Sequence, residues 1–150
     1  MRIPDAPSGR LMPEPFRPDI ILMATLEFVH KSTEHDTFLM DREDFHRRLY
    51  QIKKRGNTEP YPILTPITYD AVCPKPFSQP LDRALNRLTR DRMVIWGECQ
   101  EGIAFRIGES LHLYFVGIME DDYFFKRDEV FQLELIADEF IKPFRPFYES

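Results

Sequence analysis

Cysteine and glycine are both scarce in this 150-residue chain, and each scarcity removes a class of function. Two cysteines, Cys73 and Cys99, stand 26 positions apart with no C-x-x-C and no histidine at zinc spacing, which excludes a disulfide framework and a metal knuckle. Six glycines leave little for phosphate-cradling loops, and no G-x-G-x-x-G, G-x-x-x-x-G-K-[ST] or G-x-S-x-G occurs. Apolar runs stay short of the roughly 18 residues a membrane span needs, and MRIPDAPSGRLMPEPFRP lacks a signal-peptide core. A cytoplasmic protein without a membrane partner is expected. His30, His35, His46 and His112 form no H-E-x-x-H or H-x-H pair, and the acidic triplet Glu120-Asp121-Asp122 has no second acidic motif at ligand spacing. No metal, no cofactor and no catalytic residue is therefore assigned, and the expected function is not enzymatic.

Proline and charge are plentiful and unevenly placed. Five prolines (Pro4, Pro7, Pro13, Pro15, Pro18) fall in residues 1–18, which read as an extended arm, and six more lie in residues 57–80. The net charge of −5 divides into −3 for residues 1–41, +5 for 42–92 and −7 for 93–150. A basic middle and an acidic last third bear on partners more than the total does.

Residues 19–142 read as one domain. Ile20 to His30 is apolar on nearly every side apart from Thr25 and Glu27, as in a buried helix. Thr37 to Met40 is a strand candidate. Asp41, with Asp44 three positions on, caps a second helix whose Phe45, Leu49 and Ile52 face inward and which Gly56-Asn57 stops. Ser78 caps a third helix, with Leu81, Ala84, Leu85 and Leu88 on one face. Met93 to Trp96 reads as a strand, Gln100-Glu101-Gly102 as a turn, and Ile103 to Ile107 as the returning strand. Leu111 to Ile118 reads as a further strand, and Asp128 to Lys142 as a last helix ended by Pro143. The fold class expected is α+β and winged-helix-like, helices with a small antiparallel hairpin, flanked by the 1–18 arm and a 143–150 aromatic tail.

The segment Lys75-Pro76-Phe77-Ser78-Gln79-Pro80-Leu81, continued by Ala84-Leu85, Leu88 and Met93-Val94-Ile95, resembles the G-P-[FY]-S-x-x-L…L…G-[LI]-[IV] stretch of SocA-like, or Panacea, antitoxin-associated domains. The match spans about 22 of the 150 residues, and Lys75 and Arg92 stand where that family tends to have glycine. The resemblance implies a compact domain that acts through protein contacts and brings no catalytic residues. Small middle subunits of bacterial defence and chromosome-maintenance complexes carry a similar unit, an analogy of fold alone.

Two partner classes follow. A protein partner, a second copy of this chain included, suits the arm, the acidic last helix and the tail aromatics Phe144, Phe147 and Tyr148. The alternative is a DNA-binding regulator whose third helix presents Arg83, Asn86, Arg87 and Arg90 to a major groove, supported by Arg47, Arg48, Lys53 and Lys54 of the second. Glu98 and Glu101 at the hairpin tip would repel phosphates, which favours the protein partner.

Overall fold

Eleven consecutive residues, Asp19 to Val29, are buried, so the helix that carries them is enclosed on all sides. The computed structural model describes residues 16–55, 58–70, 75–119 and 125–142, with side chains left out for 117–119. Most of the arm, the Gly56-Asn57 stop, Cys73, the triplet Glu120 to Asp122 and the tail with Phe144, Phe147 and Tyr148 lie outside these described residues. Helix α1 runs Pro18–Thr33, with proline in its first turn where the missing N–H costs no hydrogen bond. It ends at Glu34, whose φ of 62° puts it in the left-handed region while its N–H donates to the His30 carbonyl.

The chain then forms strand β1 (Thr37–Leu39), helix α2 (Arg42–Lys53), a short 3-10 turn (Pro62–Leu64), helix α3 (Gln79–Arg90), strands β2 (Val94–Cys99) and β3 (Gly102–Ile107), and helices α4 (Glu109–Met119) and α5 (Arg127–Ile141). The fold is mixed α+β, with a three-stranded antiparallel sheet in the order β1-β3-β2. The capping box at the start of α2 is present as expected: Asp41 accepts from the Asp44 amide at 2.9 Å and Asp44 accepts from the Asp41 amide at 3.0 Å. Ser78 caps α3 through the Leu81 amide at 3.2 Å, and Leu81, Ala84, Leu85 and Leu88 are its buried face.

Helix α1 packs against α3, α4 and α5, while α2 packs against α5 and α3 and the sheet closes the remaining side. Phe45 of α2 joins these layers. It is fully buried, with edge-on ring contacts to Trp96 of β2, Phe105 of β3 and Phe140 of α5 at 5.6, 4.9 and 5.1 Å. The described part of the proline-rich stretch packs on this core: Ile63, Leu64 and Ile67 are buried. The Lys53 ammonium, also buried, donates to the carbonyls of Leu64 at 3.3 Å and Ile67 at 3.1 Å.

One expected element has the wrong type. Leu111 to Ile118, read as a strand for its β-branched and aromatic residues, lies within helix α4. Leu111 and Phe115, one helical turn apart, are the buried pair there, and Phe115 packs on Phe28 of α1 at 6.3 Å. Burial of that pair against α1 outweighs local strand preference. The sheet has no place for another strand between β2 and β3, which already pair along their whole lengths.

Arg92, between α3 and β2, holds φ at 61°. Its carbonyl accepts from the Ser110 hydroxyl at 3.0 Å and so close to Gly108 that a Cβ on Gly108 would collide with it. The left-handed conformation costs a non-glycine residue about 1–2 kcal/mol, of which the extra chain entropy of glycine takes back about 0.5–1 kcal/mol. Arg92→Gly should therefore raise stability by about 0.5–1 kcal/mol in urea unfolding; a loss of stability would show that the Arg92 side chain holds the turn.

Candidate binding surfaces

The outer face of α3 carries Arg83, Asn86, Arg87 and Arg90, all exposed, opposite its buried leucines. Most of these side chains are committed to neighbours. Arg87 meets Asp19 of α1 at 3.3 Å, Asn86 accepts from Arg42 of α2 at 3.0 Å, and Arg90 lies 3.6 Å from Asp91. Arg83 alone of the four makes no hydrogen bond or ion pair among the described residues.

Arg42 of α2 reaches that face, but Arg47 and Arg48 of the same helix, and Lys54 and Arg55 just beyond its end, do not extend it. Arg47 is held by Asp44 one turn back. Arg48 reaches α5, where it donates to the Glu139 carbonyl at 2.7 Å, and Arg55 pairs with the Glu139 carboxylate. Lys54 pairs with Glu59 at 2.9 Å. Lys53, counted at first among the surface cations, is inside the protein, and burial pushes its pKa down. The sequence pattern missed this because a Lys-Lys-Arg run at a helix end looks the same whether its first member points outward or back under a following turn.

His46, too, is internal. Its Nδ1 accepts from the Ser78 amide at 3.0 Å, its Nε2 faces Asp82 Oδ1 at 3.3 Å, and Phe77 stacks on the ring at 4.7 Å. Accepting at Nδ1 fixes the neutral tautomer with the proton on Nε2. Burial lowers the His46 pKa despite the neighbouring Asp82 carboxylate, because the charged imidazolium loses its hydration inside the protein. For Asp82 burial acts upward, but hydrogen bonds from Arg42 and His46 outweigh it and hold the carboxyl below its usual value. The network joins α2 to the cap of α3 and is structural.

Among the described residues, the surface features include two clefts and the apolar faces of α4 and α5. The first cleft, of about 380 Å³, lies where the starts of α1 and α3 meet and is bordered by Arg17, Asp19, Arg83 and Arg87. The second, of about 510 Å³, lies between α2 and α5 and mixes Arg48, Arg55 and Lys142 with Asp138 and Glu139. On α4, Leu113 is 64% exposed, and Tyr114 and Val116 are exposed beside it. On α5, Phe131 (60% exposed) and Leu135 are one turn apart and also face outward. None of these apolar residues was singled out from sequence. The strand reading of α4 hid the Leu111/Phe115 spacing that would have assigned Leu113, Tyr114 and Val116 to the open side.

Between α1 and α4, Glu27 is buried and its Oε2 lies 2.8 Å from Nδ1 of the half-exposed His112. Among the described residues no group of three or more His, Cys, Asp or Glu side chains is placed to hold a metal ion. No protein-family model, curated protein or solved structure matches the chain.

Because the folded-state pKa of His46 lies below its unfolded value near 6.5, the unfolded chain takes up a proton first as pH falls. Stability should thus be complete above about pH 6.5 and decline below it, well before the Asp82 contribution is lost under about pH 4. His46→Asn, which can still accept from Ser78 and donate to Asp82, should give a flatter profile between about pH 6.5 and 5. Parallel wild-type and variant profiles across that window in denaturant titrations would remove His46 as the cause.

Proposed function

We propose that this chain is a non-enzymatic, winged-helix-like binding domain that engages a protein partner through the open face of α4. The supporting topology is the element order α1-β1-α2-α3-β2-β3 with the sheet ordered β1-β3-β2, in which α3 leads directly into a two-stranded hairpin that serves as the wing. The left-handed backbone at Arg92 is a conformation that glycine adopts readily, which fits a position where SocA-like domains tend to have glycine. A protein-contact role in that family's manner, as an antitoxin-like adaptor or a small complex subunit, fits the same features.

The observation that carries the proposal is the exposure of Leu113, Tyr114 and Val116 on one short helix. Contiguous apolar side chains left in water are the usual mark of an interaction surface. Covering a leucine-sized side chain yields about 1.5–3 kcal/mol, so this face is worth more covered than bare. Among the described residues no helix is long and apolar enough to cross a membrane, and a protein is the occupant proposed. A second copy of the chain is the simplest such partner to examine.

A DNA-binding regulator is the second reading, favoured by the uncommitted Arg83 on the outer face of α3. It has to contend with Glu98 and Glu101, both exposed at the hairpin end, and with the Asp91 carboxylate beside Arg90. The division of the α2 cations between Asp44, Glu59 and α5 also leaves no continuous positive track.

Leu113→Asp combined with Val116→Asp tests the α4 face. Both positions are exposed, so the stability change should stay within about 0.5 kcal/mol. The wild-type protein should show concentration-dependent mass in analytical ultracentrifugation, or retain a stoichiometric protein partner on purification from its native cells, and the double variant should lose that association. Equal behaviour of the two proteins in both measurements would refute the proposal.

A further inference from the structure

We infer that the cleft bordered by Arg17, Arg83 and Arg87 is a receptor for a carboxylate, supplied by an acidic segment of a partner protein. Asp19 at its base is 5% exposed and already holds two guanidinium groups. Arg17 donates to it through Nε at 3.1 Å and Nη2 at 3.0 Å, a bidentate fork, and Arg87 approaches Oδ2 at 3.3 Å. The same carboxylate accepts from the Ile20 amide at 3.0 Å. One buried anion therefore fixes two arginines in place, while the third, Arg83, borders the same cleft one α3 turn before Arg87. Three cations face one anion: Asp19 holds Arg17 and Arg87 in place, and the exposed Arg83 supplies the excess positive charge. Such preorganisation lowers the entropy cost of binding an anion.

The walls narrow the ligand class. Pro18, Pro66, Pro80 and Ala84 line the cleft and present only hydrocarbon side chains. An anionic head on a short apolar stem satisfies both parts: the carboxylate meets the Arg83 and Arg87 guanidiniums, and the methylenes of a glutamate side chain lie on the prolines. At about 380 Å³ the space is at the small end for a ligand pocket and suits one or two residues of a peptide. A duplex would need cations spaced along its backbone, but beyond the cleft the α3 face continues with Asn86, bound to Arg42, and Arg90, beside Asp91. None of the residues bordering the cleft belongs to the apolar face of α4. The inference does not rest on that face, because Arg83→Glu alters the cleft alone and the Leu113→Asp, Val116→Asp variant alters α4 alone.

A fluorescein-labelled hexaglutamate peptide titrated with the full chain at low salt is the test, read by fluorescence anisotropy. Binding should weaken as salt rises, and Arg83→Glu should reduce affinity by about 10-fold or more, the size expected for a lost charge-assisted hydrogen bond. Arg83→Lys, which keeps the charge but not the planar fork, should fall between the two. Unchanged thermal unfolding of the Arg83 variants is expected from the exposure of that side chain and would tie the loss to the cleft; Arg83→Gln serves in the same role if the charge reversal destabilises the fold. Neither inorganic phosphate nor a duplex of about 20 base pairs should compete effectively at matched ionic strength. Absence of hexaglutamate binding, equal affinity of wild type and Arg83→Glu, or preferential Arg83-dependent binding of phosphate or duplex would overturn the assignment.

Discussion

The enclosure of α1 is the constraint on which the other elements depend. A helix whose residues 19 to 29 are all buried cannot lie on a surface, so α3, α4 and α5 must each give it their apolar side. That requirement selects which face of every surrounding helix is left for solvent. It also sets the polar residues of α1 against specific partners, since a buried charge without one is costly. Asp19 at one end is met by Arg17 and Arg87, and Glu27 near the other by His112. The pairing at Asp19 places an arginine-rich cleft where α1 and α3 begin. The burial of Leu111 and Phe115 turns Leu113, Tyr114 and Val116 of α4 outward.

Much of this was legible in the residues because the signals were local. The Asp41/Asp44 capping box, the Ser78 cap, the leucines of α3 and the strand over Ile103 to Ile107 each depend on neighbours within one or two turns of chain and appear where the pattern put them, although the alternation fails at the start of that strand, where Ile103 is exposed and Ala104 buried. Helix α1 was equally clear, since continuous apolarity over that length has few other uses. The type of α4 was not legible: Leu-His-Leu-Tyr-Phe-Val favours strand locally, and the packing that overrides it comes from Phe28, far away in sequence.

The same division between local and distant signals explains the candidate sites. Counting cations along α2 and α3 suggested one positive surface, but the counterions that divide it are supplied by Asp19, Glu59, Asp82 and Glu139, spread over the chain. Lys53, expected at that surface, is inside the protein, where it closes the proline-rich turn on its carbonyls, and His46 is likewise internal and accepts the Ser78 amide. Among the described residues, the features the fold leaves uncommitted include Arg83 at the cleft and apolar strips on α4 and α5. The proposed binding function rests on these features.

Native-state hydrogen exchange tests the central dependence most directly. If α1 is the enclosed element that organises the rest, the amides of Leu22 to Val29 should exchange only through global unfolding. They should share the free energy obtained from denaturant titration and be the slowest in the protein, with α4 opening at lower cost. Exchange of the α1 amides faster than those of α3, or with a free energy clearly below the global value, would contradict the account.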